Sequence, residues 1–218
     1  MKAEQAIFTS ISRRGKAGYH LVAKSDGLTP GESAAIEAWA PSHGGLILDP
    51  KNRSSVNFQQ LSSGRYALSR TLEGRLEYSG RGGRQLYTHF LIFEADVLKK
   101  SEYQPFSIYR DAMAQGIFFY KSDPGPILPR VELSNLHFRP EAESWEWLVR
   151  EFGRVQFESL VFQLEAERSL TLAYQGDRAL LAEALLSRIE PEKILRTSFA
   201  TNLQPSTLRR VILQLVAT

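Results

Sequence analysis

The chain contains no cysteine, which removes thiol nucleophiles, thiolate metal sites and disulfide frameworks together. Nothing covalent staples it, yet 218 residues are enough to bury a self-sufficient core. A cysteine-free chain fits a reducing compartment, and the cytoplasm is the expected location. No apolar run approaches the roughly 18 residues of a membrane span. The opening Met1-Lys2-Ala3-Glu4-Gln5 lacks the apolar stretch of a secretory signal, so no membrane association is expected. Solenoid-period repeats, heptads and low-complexity tracts are also missing.

Several catalytic signatures are missing as well. His20, His43, His89 and His137 are widely separated and form no HExxH, so no metal is expected. There is no GxSxG elbow. At Gly15-Lys16 a phosphate loop fails twice, because Ala17 replaces the required Ser or Thr and Ser10 replaces the required glycine. The Gly80-Arg81-Gly82-Gly83 run precedes a strand, whereas a dinucleotide fingerprint follows one. No cofactor is expected.

What the chain does carry is an uneven charge. Twelve lysines and arginines stand against seven acids through Phe90, and the remainder is net negative, for an overall +3. The basic half has no concentrated stripe, so nucleic acid ranks below protein as the expected partner. Its most distinctive segment is the glycine loop Gly80 to Arg84, which feeds directly into the apolar run Gln85 to Phe93. Gly82 and Gly83 permit backbone conformations closed to other residues, and Arg81 and Arg84 supply charge-assisted donors. The polar turn Arg13-Arg14-Gly15-Lys16 adds three more cations. Arg81, Gly82, Gly83, Arg84, Arg13, Arg14 and Lys16 are therefore the expected binding residues.

Local patterns predict a strand pair from Ala6 to Ile11 and Tyr19 to Ala23, then a helix from Pro30 to about Trp39 capped by Thr29. Strands are expected at Ser55 to Leu61, Tyr66 to Leu72 and Gln85 to Phe93, with a short helix over Glu94 to Lys100. The cluster Pro124, Gly125, Pro126 and Pro129 marks the expected boundary between domains 1–127 and 128–218. Beyond it, Trp145, Leu148, Val149 and Phe152 share a helix face, which leaves Trp147 off that face. Ser169 to Tyr174 alternates like a strand, Asp177 caps a helix running to Ile189, and Thr197 to Leu203 and Leu208 to Val216 look extended, with Val211, Leu213 and Leu215 on one face. The expected class is α+β: a mixed, largely antiparallel sheet with a few helices, then a smaller α/β segment.

His20 and His89 each open an apolar run, and neighbouring strands would bring them together. Hydrogen-bonded structural histidines are the plainer reading; the sharper one is a hydrolase or phosphate-ester-processing enzyme using both imidazoles. Glu94, Asp96 and Asp111 read as helix-capping or solvated acids.

The blocks Ala6-Ile7-Phe8-Thr9-Ser10, Gly18 to Ser25, Ala67-Leu68-Ser69-Arg70-Thr71 and Tyr78 to Ile92 resemble, in this order, the N-terminal domain of bacterial GTPase-associated proteins. Ser198 to Ser206 is similar to the middle domain that follows it. The resemblance implies a non-catalytic adaptor of a GTPase or AAA-type ATPase in a multi-component bacterial system, some of them linked to conflict. It carries no established active site, and GTP is then expected to bind the partner. It also implies that the chain lacks the large C-terminal extension of fuller relatives.

Overall fold

A computed structural model describes residues 1–13, 16–77, 83–134 and 143–217, apart from the side chains of residues 12, 13, 16 and 143–145. Strands β1 (Lys2–Arg13) and β2 (Lys16–Lys24) form the expected antiparallel pair. Helix α1 (Pro30–Trp39) begins where its sequence says it must. Thr29 Oγ1 accepts from the Glu32 backbone N–H at 3.2 Å, and the Glu32 carboxylate accepts from the Thr29 N–H at 3.0 Å. The same buried carboxylate accepts from Ser63 Oγ and from the Arg65 guanidinium. Arg65 holds it down to about pKa 2 against the opposing effect of burial. One residue thus caps the helix and pins it to the turn joining β3 (Ser54–Gln60) and β4 (Tyr66–Leu76).

Strand β5 (Arg84–Phe93) is buried on both faces after its first residue, as befits a central strand. Helices α2 (Ala95–Lys100) and α3 (Pro105–Ala114) follow, then the two-residue strand β6 (Val131–Glu132), which pairs with the start of β1. The second segment supplies α4 (Glu143–Phe152), α5 (Arg154–Glu165), β7 (Leu170–Ala173), α6 (Arg178–Leu186), α7 (Pro191–Ile194), β8 (Phe199–Thr201) and β9 (Leu213–Val216). The strands lie in the order β2-β1-β5-β4-β3-β8-β9-β7. Among the described strands only the β7–β9 and β8–β9 pairs are parallel, so the protein is α+β with a mixed, largely antiparallel sheet.

Because β8 pairs with β3, the strands of the second segment continue the sheet of the first. The largest core is shared likewise, with Phe58, Leu68 and Leu91 packing in one cluster with Leu148, Leu164, Leu181 and Leu213. On the other face α1 covers Phe8, Phe90, Ile92 and Ala200. Val211 packs on that second cluster while Leu213 and Leu215 join the first, because β9 starts only at Leu213 and the preceding turn rotates Val211 away. Trp147 is half-buried and edge-on to Tyr174, a second contact that the single-face helix pattern did not provide for.

The join is held by a fully buried charge. Arg178, the first residue of α6, donates to Asn202 Oδ1, to the Tyr174 carbonyl at 2.8 Å and to Asp49 Oδ2 at 2.6 Å. Asn202 Nδ2 donates to the Ser54 carbonyl at 2.7 Å, and Asn52 accepts from the Arg178 backbone N–H. Removing one member of such a buried set strands the others without partners. Arg178→Met is therefore expected to cost about 3 kcal/mol or more in urea unfolding, with part of the loss recovered in Arg178→Met/Asp49→Asn. An unchanged midpoint in the single variant would show that the network is dispensable.

Candidate functional site

The strand register decides where the basic turns go. Arg13 pairs with Lys16 at the end of the first hairpin, and Leu76 pairs with Arg84 at the end of the second. Strand β1 runs antiparallel to β5, with Glu4 opposite Ile92 and Thr9 opposite Tyr87, so the end of β1 and the start of β5 lie at the same end of the sheet. The backbone positions of Arg13, Lys16 and Arg84 are brought together there from sequence separations of up to about seventy residues. Arg14, Arg81 and Gly82 lie outside the described residues, as do the side chains of Arg13 and Lys16.

Gly83 has φ +98°, and a Cβ there would meet His43 Cε1 at 3.2 Å, so the position favours glycine. Its carbonyl accepts from the Glu77 N–H at 3.1 Å, while the Glu77 carboxylate lies 3.6 Å from His43 Nδ1. Arg84 is exposed and donates to the Gly74 carbonyl at 3.0 Å. Gly74 and Arg75 occupy a bulge, since Glu73 faces Leu86 while Leu76, three residues on, faces Arg84, only two residues back. A Cβ on Gly74 would approach Tyr120 to 2.9 Å, so the glycine lets that ring lie against the strand.

Behind the bulge lies a cavity of about 290 Å³. Arg75, Gln85, Tyr87, Tyr120 and Lys121 contribute to its lining, with Thr9 from β1. The Tyr87 hydroxyl is buried near the Lys121 backbone N–H but makes no hydrogen bond of ordinary geometry. Burial pushes this phenol well above its usual range. The Tyr120 ring stands edge-on at 5.0 Å, and its hydroxyl accepts from Gln85 Nε2 at 3.2 Å. The sequence carried one signal of this cavity, an isolated glycine in a strand at Gly74. Arg75, Tyr87, Tyr120 and Lys121 come from separate segments and had no local signature.

The two histidines proposed as an acid–base pair are not brought together. His89 is fully buried on β5, with Nε2 donating to Gln5 Oε1 at 2.9 Å and the Tyr87 and Phe118 rings edge-on around it. Burial, reinforced by the Lys121 cation, pulls its pKa down to about 3, so the imidazole is neutral. His20 is half-buried on the edge strand β2, in an open depression with Lys24, Ser33 and Glu37. Strand β1 runs between them, and the depression that His20 lines does not include His89. Asp111, expected to cap a helix or be solvated, is buried within α3 and accepts from Gln115 Nε2 at 2.9 Å. Among the described residues no three His, Asp or Glu side chains cluster to hold a metal, and no helix is long and apolar enough to cross a membrane.

The family model for GTPase-associated protein 1, N-terminal domain type 2, matches residues 2–134, more than half of the chain. Comparison with curated proteins and with solved structures returns no match.

The buried histidine sets a pH dependence. Its folded pKa lies below the unfolded 6.5, so the stability contribution is complete above pH 6.5 and declines as the pH falls towards 3. The lowered Glu32 and Asp49 act only in a lower window, from about pH 4.5 to 2. Between pH 6.5 and 5, His89 is expected to remove about 2 kcal/mol from the unfolding free energy. Urea titrations should show that His89→Gln flattens this slope; an equal slope in the variant would refute the assignment.

Proposed function

The chain belongs to the GTPase-associated protein 1 family through its N-terminal domain of type 2, and on that premise we propose that it is a non-catalytic adaptor for a GTPase or related NTPase. The observation that carries this reading is the convergence of two basic hairpins at one end of the sheet. Arg13, Arg14 and Lys16 from one turn and Arg81 and Arg84 from the other supply cations to the docking end, where an acidic partner surface is steered and oriented. Gly83, at its positive φ, shapes the end of the second hairpin. A rigid sheet end offers such a surface at little ordering cost, because both hairpins are anchored in the central strands.

Residues 128–218 form, in this proposal, the second and smaller domain, corresponding to part of the middle domain that follows in such proteins. The working context is a cytoplasmic multi-component bacterial system, of signalling or conflict type, in which the partner binds the nucleotide. The hydrolase alternative has no geometric support from His20 and His89, which occupy different surroundings.

The test is direct capture of a GTPase or AAA-type ATPase, where the neighbouring genes encode one. Arg81→Glu/Arg84→Glu is expected to weaken capture by about tenfold or more and to reduce its salt dependence, with the urea midpoint unchanged. Equal capture by the variant and the parent would remove this end of the sheet as the docking surface.

A further inference from the structure

We propose that the cavity behind the hairpin ends is a binding site for a small molecule carrying a phosphoryl group. This goes beyond the docking reading and stands without it, since the ligand is tested on the isolated chain.

Two cations reach the same concavity from separate parts of the chain. Arg75 is delivered by the β4 bulge, and Lys121 by the segment that follows Tyr120. Neither forms an ion pair among the described residues, and Asp123 is the one acid in the lining. Thr9 spends its donor on the Leu86 carbonyl at 2.8 Å, and Gln85 spends one of its two amide N–H groups on Tyr120. Tyr87 does not spend its own. The residue is 1% exposed and contributes to the cavity lining, its buried hydroxyl makes no hydrogen bond of ordinary geometry, and a phenol O–H is a donor that an anionic oxygen satisfies.

Two cations and a buried donor converging on one space need several acceptor oxygens on one ligand atom, which a phosphoryl group has. Ile11, Val22 and the Tyr120 ring give the rest of the molecule an apolar wall. The volume, about 290 Å³, accommodates a small metabolite and is too small for a folded segment of a macromolecule.

Inorganic phosphate is the probe, titrated into the isotopically labelled chain and followed by backbone amide shifts. The expected result is saturable shifts at Gln85, Lys121 and Ser122, with no such response to sodium chloride at matched ionic strength. Arg75→Gln and Lys121→Gln should each weaken binding by about tenfold, as should Tyr87→Phe, which loses a hydrogen bond to a charged acceptor. Tyr87→Phe removes only an unpartnered oxygen, so its thermal midpoint should equal or exceed the parent's. Lys121→Gln, on an exposed loop, keeps the test open if the tyrosine variant misfolds. An identical response to chloride, undiminished binding in both cation variants, or loss of binding in Arg84→Glu alone would each overturn the proposal, the last by moving the phosphate to the hairpin ends.

Discussion

A guanidinium with no access to water must have its charge answered inside the protein, and Arg178 has that charge answered by three partners from different elements. Asp49 precedes β3, Tyr174 follows β7 and Asn202 follows β8, so the group can be satisfied only when all three strands are in register. Hydrophobic burial would tolerate small displacements of β8 along β3. The buried charge does not, because a displacement of one residue would leave it stranded, at a cost of several kcal/mol. The pair β3–β8 is short, with Asn57 opposite Ala200 and Phe58 opposite Phe199, and it gains its specificity from this network more than from its ladder. Asn202 contributes from a positive φ of 57°, a conformation that asparagine tolerates better than most residues.

Across β4 from that network lie β5, β1 and β2, the strands that bring the two hairpins together. Strand β1 lies between its hairpin partner β2 and the distant β5, an arrangement that places the strand ends of both hairpins at one end of the sheet. Like charges gathered in this way repel one another, and at exposed positions the cost is small, because water and salt screen it. The same cations raise the local potential, which is useful only if something negative arrives. The cavity lies on the sheet face that carries Ile7, Tyr87 and His89, whereas α1 covers the face of Phe8, Phe90 and Ile92.

The parts of this fold that could be read from sequence are those written in local chemistry. Thr29, Pro30 and Glu32 specify the start of α1 within four residues, and the alternation in Ser55 to Leu72 with its Ser62-Ser63-Gly64 turn specifies a hairpin. Asp177 announced α6, but the same residues gave no hint that Arg178 beside it would be the buried staple, because its partners are 24 and 129 residues away. Helices α3 and α5 passed unnoticed for a physical reason: Gln104 and Gly153 provide no side-chain cap, and α5 exposes Val155 and Phe162 on what a regular amphipathic pattern would make its polar side. The basic turns were visible as residues, and only the order of strands makes them neighbours. The cavity was illegible for the same reason, since Thr9, Arg75, Tyr87 and Lys121 meet through pairings that no short window contains.

The contrast between the two sides of the sheet, β3 and β8 against β5, is itself informative. Around Arg178 every buried polar group is answered, and that region behaves as a structural fastening. On β5, two residues apart, the Tyr87 hydroxyl and His89 Nδ1 make no hydrogen bond of ordinary geometry. An unanswered buried polar atom costs on the order of 1–3 kcal/mol, and a sequence free to optimise stability alone would place phenylalanine at 87. His89 is partly accounted for by its bond to Gln5, which fixes the ring against β1. Tyr87 has only the Lys121 backbone N–H nearby, which leaves its own O–H undonated. Departures of this kind from the stability optimum concentrate where a protein must leave a donor available for something outside itself, and here the departure borders a cavity carrying Arg75 and Lys121.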